Sequence, residues 1–214
     1  MGLPDSAEPP PDATIDGAVI PRKRAAALAG HRGDVDAARA ALRDLDAGVR
    51  ATALGALARA GAVTADDFAR ARDDPSAAVR RRCAEVMVTV PMAARVDLLP
   101  LTRDDDVTVV EVAAWALGEL DSAEPRVVTR LAELAMTADD ALVREAAVGA
   151  LGALGDAAGL PAVLAAASDK ATVRRRAVLA LAAFDGPDVE AALEQARTDR
   201  DPQVRQAAED LLSD

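Results

Sequence analysis

The sequence predicts an all-α protein, a right-handed α–α superhelix of about six helical hairpins plus an N-terminal helix, on three observations. Hydrophobic residues make up 51% of the 214-residue chain, yet Trp115, Phe68 and Phe184 are its only aromatics. Ala, Val and Leu must therefore fill the core, and Ala is the best helix former while strand-favouring residues are scarce. One short pattern returns about every 30 residues along nearly the whole chain, the mark of a repeat architecture. Within each copy the apolar positions fall on one stripe of a helix.

Taken in order, residues 1–19 carry Pro4, Pro9, Pro10 and Pro11 among scattered acids. That composition cannot build a core, so a flexible tail is expected; the alternative is docking on a partner or on the chain's own groove. Residues 20–214 form the array. Its clearest copy runs V-R-E-A-A-V-G-A-L-G-A-L-G from Val143 to Gly155; others begin at Val49, Val79, Val109, Val173 and Val204, with a weaker forerunner at Ile20. Counting the leading Val as position zero, positions zero, four, eight and eleven are apolar or small, as in Val49, Ala53, Leu57 and Ala60. Three residues ahead there is often an aspartate (Asp46, Asp106, Asp140, Asp201), placed to cap the first N–H groups and to face the positive helix end. Shorter apolar segments near 35–42, 64–71, 92–101, 125–136, 159–167 and 187–196 read as a preceding helix in each unit, several opening on Pro. A single hairpin cannot bury its apolar stripe, so the units must stack. The last helix, with Gln203, Gln206, Glu209 and Asp210, reads as a polar cap.

The pattern D-x-x-V-R-x-x-A-x-x-A-L-G-x-L, with a period of about thirty, resembles the short HEAT repeats of the phycobilisome-lyase type. The Val109 copy departs from it with Val110 in the Arg place, and the Val79 copy with Met87 and Val90 for the Leu pair. The resemblance implies a scaffold or adaptor in most cases and an enzyme in a few. It also implies that the second helix of each unit lines a concave face, to which positions two, three, six and ten contribute. Read along the array, that face offers Arg81, Arg82 and Glu85, then Glu111, Val112, Trp115 and Glu119, then Glu145, then Arg175, Arg176 and Leu179.

Trp115 at position six is expected to project from that groove as an anchor for a partner; the alternative is that it tilts sideways to fill a gap between units. The arginines either pair with acids of a partner or with neighbouring glutamates. The Arg that follows each leading Val (Arg50, Arg80, Arg144, Arg174, Arg205) points to the packed side, where a cation needs a counter-ion. The recurrent aspartates Asp46, Asp106, Asp140 and Asp201 are the natural partners, making a structural ladder and not an anion site.

The net charge of −11 disfavours nucleic acid, which demands a surplus of cations. Lone Cys83, at position four, is expected to be buried and unreactive, and it excludes an internal disulfide. With neither a signal-peptide core nor a bilayer-long apolar run, no membrane insertion is expected and the cytoplasm is the default setting. His31, read as part of a Gly30–Gly33 loop, stands alone, so no metal site is expected and no cofactor either; the acidic clusters lack the spacing of a calcium loop. No nucleophile, base or phosphate loop marks a catalytic site. The reading is a non-catalytic scaffold that binds another protein or peptide, monomeric by default. A bilin lyase-like or other small-ligand enzyme and a HEAT-like DNA-binding or DNA-repair protein are the alternatives. The deoxyhypusine hydroxylase type needs several His-Glu pairs and is excluded by the single histidine.

Overall fold

A computed structural model describes residues 18–120 and 124–213, and among these every regular element is helical. The tail expected over residues 1–19 lies outside the described residues except for Ala18 and Val19, which lead into the first helix. The chain divides into two compact units, residues 1–62 and 63–214. No described helix is long and apolar enough to cross a membrane.

The first unit holds α1 (Val19–Arg32), α2 (Val35–Ala41) and α3 (Ala47–Arg59), with α1 packed along α3 and α2 against both. His31 is in the last turn of α1 and not in a loop, because only Gly33 leaves the helix, at φ 69°. A basic residue there faces the negative end of the helix. Gly30 lies so close to α3 that a Cβ on it would stand 2.6 Å from the Ala56 Cα.

The second unit comprises α4 (Ala65–Arg72), α5 (Ala77–Met87), α6 (Val107–Glu119), α7 (Pro125–Thr137), α8 (Ala141–Leu154), α9 (Leu160–Ala166), α10 (Ala171–Leu181), α11 (Pro187–Ala196) and α12 (Pro202–Leu212). The helices of the repeated motif, α5, α6, α8, α10 and α12, pack each against the next, while α4, α7, α9 and α11 each cover the motif helix that follows. Segment 92–101, expected to be a helix, instead forms two 3-10 turns, Met92–Ala94 and Leu99–Arg103. Pro91 and Pro100 explain the difference: each lacks an N–H, and each disfavours the helical conformation in the residue before it. Leu98, Leu99 and Leu101 are buried all the same, and the second turn packs on α6.

The motif positions form the core. The leading valines Val49, Val79, Val109, Val143, Val173 and Val204 are buried, and position four (Ala53, Cys83, Ala113, Ala147, Ala177, Ala208) is sealed completely. Met87 takes the place of Leu at position eight and is equally buried, as an unbranched side chain can be in an irregular gap. Asp46, Asp106, Asp140 and Asp201 cap their helices, accepting from the N–H groups of Val49, Thr108, Leu142 and Gln203. Cys83 donates its thiol to the Phe68 carbonyl at 3.6 Å, and burial pushes its pKa up to about 12.

The arginine ladder is built differently from the sequence expectation. The carboxylate that closes each pair is not the capping aspartate but one that precedes the helix start of the following repeat. Arg80 donates through Nε and a terminal nitrogen to both oxygens of Asp104 (2.6 and 2.7 Å), Arg144 to Asp169 (2.5 and 2.8 Å) and Arg174 to Asp199 (2.8 and 2.7 Å). Their remaining nitrogens donate to the Asp74, Ala138 and Asp169 carbonyls at the end of the preceding segment. Arg50 and Arg205 make the same carbonyl bonds, to Asp44 and Asp199. The cap aspartates Asp106, Asp140 and Asp201 instead accept the first N–H groups of their own helices. Asp104, Asp169 and Asp199 reconcile both demands by also accepting from the backbone N–H of Asp106, Lys170 and Asp201. In the first unit Arg22 donates to Asp44 at 3.0 Å, so it is Arg22 that plays the ladder part and Pro21, not Ile20, that stands at position zero.

The guanidiniums hold the Asp104, Asp169 and Asp199 carboxyls below the usual range, chiefly by hydrogen bonding. The unfolded chain therefore takes up protons first as pH falls. The ladder's stabilisation is complete above the ordinary aspartate pKa of about 3.9 and is lost as pH drops through the lower folded values. Arg174→Ala, which strands a half-buried carboxylate, is expected to cost about 2–4 kcal/mol in urea unfolding at pH 7, with the gap from wild type narrowing below about pH 3. Gly118→Ala, whose new Cβ would meet the Ala150 Cα at 2.6 Å, is expected to destabilise by about 1–3 kcal/mol in the same assay despite the better helix propensity of Ala.

Candidate functional site

The residues proposed from the sequence lie on four consecutive motif helices of the second unit. Arg81, Arg82 and Glu85 are on α5; Glu111, Val112, Trp115 and Glu119 on α6; Glu145 on α8; and Arg175, Arg176 and Leu179 on α10. Their common orientation follows from the motif. Once positions zero, four and eight are buried, the 3.6-residue period turns positions two, six and ten the other way.

Five of these residues share one cavity. Glu111, Trp115 and Glu119 from α6, Glu145 from α8 and Arg176 from α10 line a space of ≈ 320 Å³. Its depth comes from small residues: Gly118 on α6 and Ala146, Gly149, Ala150 and Ala153 on α8 also line it. The Trp115 indole forms a wall and is 41% exposed, neither projecting freely nor sealed between helices. Glu145, Arg175, Arg176 and Leu179 line a second space of ≈ 290 Å³ that extends the same face across α10 to Asp201 and Gln203 at the start of α12. Arg81, Arg82, Glu85 and Val112 line neither space.

The charges divide sharply. Glu85 receives two of the three arginines of its helix, Arg81 at 3.3 Å and Arg82 at 3.0 Å, and Glu145 faces Arg176 at 3.6 Å. Arg176 also lies across the bare backbone at Gly149, where a Cβ would come within 3.1 Å of its Cδ. Glu111 and Glu119 have no hydrogen-bond or ion-pair partner among the described residues. They stand four residues before and four residues after Trp115, so the indole is bracketed by free carboxylates one helical turn away on each side. Glu111, Glu119 and Glu145 against Arg176 leave the cavity with an acidic surplus.

Leu142 was missed by the sequence reasoning. It lies on the cavity rim and is 56% exposed. A signal existed: the position just ahead of the leading Val holds Gly48, Ala78, Thr108, Thr172 and Gln203 in the other Val-headed repeats, and among these only Leu142 is a large apolar side chain.

A family model described as HEAT repeats matches residues 66–151 and 130–213. No curated protein matches the chain. Among solved structures, YibA of Escherichia coli is similar with a TM-score of 0.70 at 20% identity, over 93% of this chain and 78% of that one. An engineered protein is similar with a TM-score of 0.59 at 19% identity, over 94% and 65%. Human deoxyhypusine hydroxylase gives a TM-score of 0.47 at 22% identity, over 93% and 80%. The first two likenesses are of fold, an all-α array of helical repeats of the α–α superhelix class.

With one tryptophan in the chain, intrinsic fluorescence reports on the cavity alone. Caesium is expected to quench Trp115 more than iodide does at low ionic strength, because the carboxylates gather cations and repel anions. The difference should shrink at about 1 M salt, where screening acts within about 3 Å, and in a Glu111→Gln/Glu119→Gln double variant.

Proposed function

We propose that this chain, which belongs to the HEAT repeat family, is a non-catalytic scaffold that holds a protein or peptide partner on the face formed by α6, α8 and α10. A single observation carries the reading: an accessible indole beside a cavity floored by small residues, with the apolar side chains of Leu142 and Leu179 exposed along the same face. Exposed large apolar groups grouped on one face cost solvation unless a partner covers them, and Trp is among the residues enriched at the hot spots of interfaces. The period of about thirty residues supports the finer assignment to the short, phycobilisome-lyase type of HEAT repeat. The free carboxylates Glu111 and Glu119 argue against a nucleic-acid backbone at this face, since they would repel phosphates. A reducing, cytoplasmic setting suits lone, buried Cys83.

Affinity purification from the native host tests the reading with four baits: wild type, Trp115→Ala, Leu142→Glu and, as a control, Gln195→Arg at an exposed position of α11. Partners are expected to survive the control and to be lost with Trp115→Ala. Partners that survive both Trp115→Ala and Leu142→Glu would remove the basis for this face as the binding surface.

A further inference from the structure

Three of the four cations of this face, Arg81, Arg82 and Arg176, are neutralised from within; the fourth, Arg175, lies outside the cavity beside Trp115, and that reverses which charge a partner should bring there. Arg81 and Arg82 are held by Glu85, and Arg176 by Glu145. What remains unmatched in the cavity is negative: Glu111 and Glu119, on either side of the Trp115 indole. The neighbouring space over α10 has no such surplus, because Glu145 and Asp201 there balance Arg175 and Arg176. The acidic imbalance therefore sits where the aromatic ring sits.

Building on the protein-binding reading above, we propose that the cavity receives an arginine side chain from an extended segment of a partner protein. Its guanidinium stacks on the Trp115 indole and hydrogen-bonds to Glu111 and Glu119. Three properties single out this occupant. A guanidinium is planar and stacks on an aromatic face, where cation–π attraction is strongest for Trp. Its fork of N–H donors suits carboxylates approaching from two sides, whereas an ammonium is a compact and strongly hydrated charge. The volume of ≈ 320 Å³ is at the lower end of the range of about 300–1,000 Å³ typical of ligand pockets, which suits one long side chain better than an extended cofactor. Exposed Leu142 on the rim then covers an apolar residue beside the arginine, which a free small cation would leave in water.

The test is selection of 12-residue peptides from a random phage library on the wild-type protein, followed by titration of chemically made winners with Trp115 fluorescence as the readout. Winners are expected to carry an arginine whose replacement by citrulline, uncharged and of similar shape, weakens binding at least about 10-fold, equivalent to 1.4 kcal/mol. Glu111→Gln/Glu119→Gln should weaken the original peptide comparably and leave the citrulline peptide nearly unaffected, with circular dichroism confirming that the variant is folded. If winners bind the indole face, as shown by loss with Trp115→Ala, but tolerate citrulline, the arginine proposal falls and the protein-binding reading stands. If no peptide binds, or if those that bind are indifferent to Trp115→Ala, both fall.

Discussion

Everything in this fold rests on how closely consecutive motif helices approach one another. At position nine of three repeats a glycine faces an alanine at position seven of the next motif helix: Gly30 on Ala56, Gly118 on Ala150 and Gly152 on Ala180. In each case an added Cβ would stand within 2.8 Å of the neighbour's Cα and Cβ. The glycine backbone on one side meets the alanine Cα and Cβ on the other, so the helices pack with nothing larger than a methyl group between their main chains along this line. The close approach explains why a core almost without aromatics suffices, since Ala and Val fill a narrow gap that a Phe would wedge open. The same economy leaves the exposed side between α6 and α8 lined by small residues, and a cavity beside Trp115 is its consequence.

The charged ladder is a second constraint laid over the first. Arg80, Arg144 and Arg174 each close two chain segments at once, their own helix start through backbone carbonyls and the following repeat through a bidentate aspartate. A half-buried guanidinium with all its forks occupied is stabilising where a lone one would be costly, so the two ends of the pair stand or fall together. The Val109 repeat lacks the arginine: Val110 stands in its place and is buried. In that repeat Arg130 on α7 instead joins the neighbouring segment through the hydroxyl and carbonyl of Thr102.

The candidate site was partly legible in advance. Trp115, Glu111, Glu119, Glu145 and Arg176 follow from position numbers alone, because a helix whose buried stripe is known has its opposite face known as well. Which of them share a cavity was not legible. That depends on the offset between α6 and α8, which Gly118 and Ala150 set by contact. Nor were the pairings. Glu85 is reached by two arginines of its own helix and Glu145 by Arg176, so three of the four cations that looked available to a partner are spent internally, while Glu111 and Glu119 are left over.

Periodicity by itself determined the helical class, the repeat length, the buried valines and alanines and the capping aspartates, because each is a local consequence of the helical period and of unsatisfied N–H groups at a helix start. Tertiary structure decided the rest. It turned segment 92–101 into 3-10 turns without losing its buried leucines, moved the ladder from the cap aspartates to Asp104, Asp169 and Asp199, placed Pro21 at the head of the first repeat and made Leu142 part of the site. Each of those outcomes depends on which residues of a neighbouring repeat come within hydrogen-bonding or van der Waals reach, and a one-dimensional pattern carries no information about that distance.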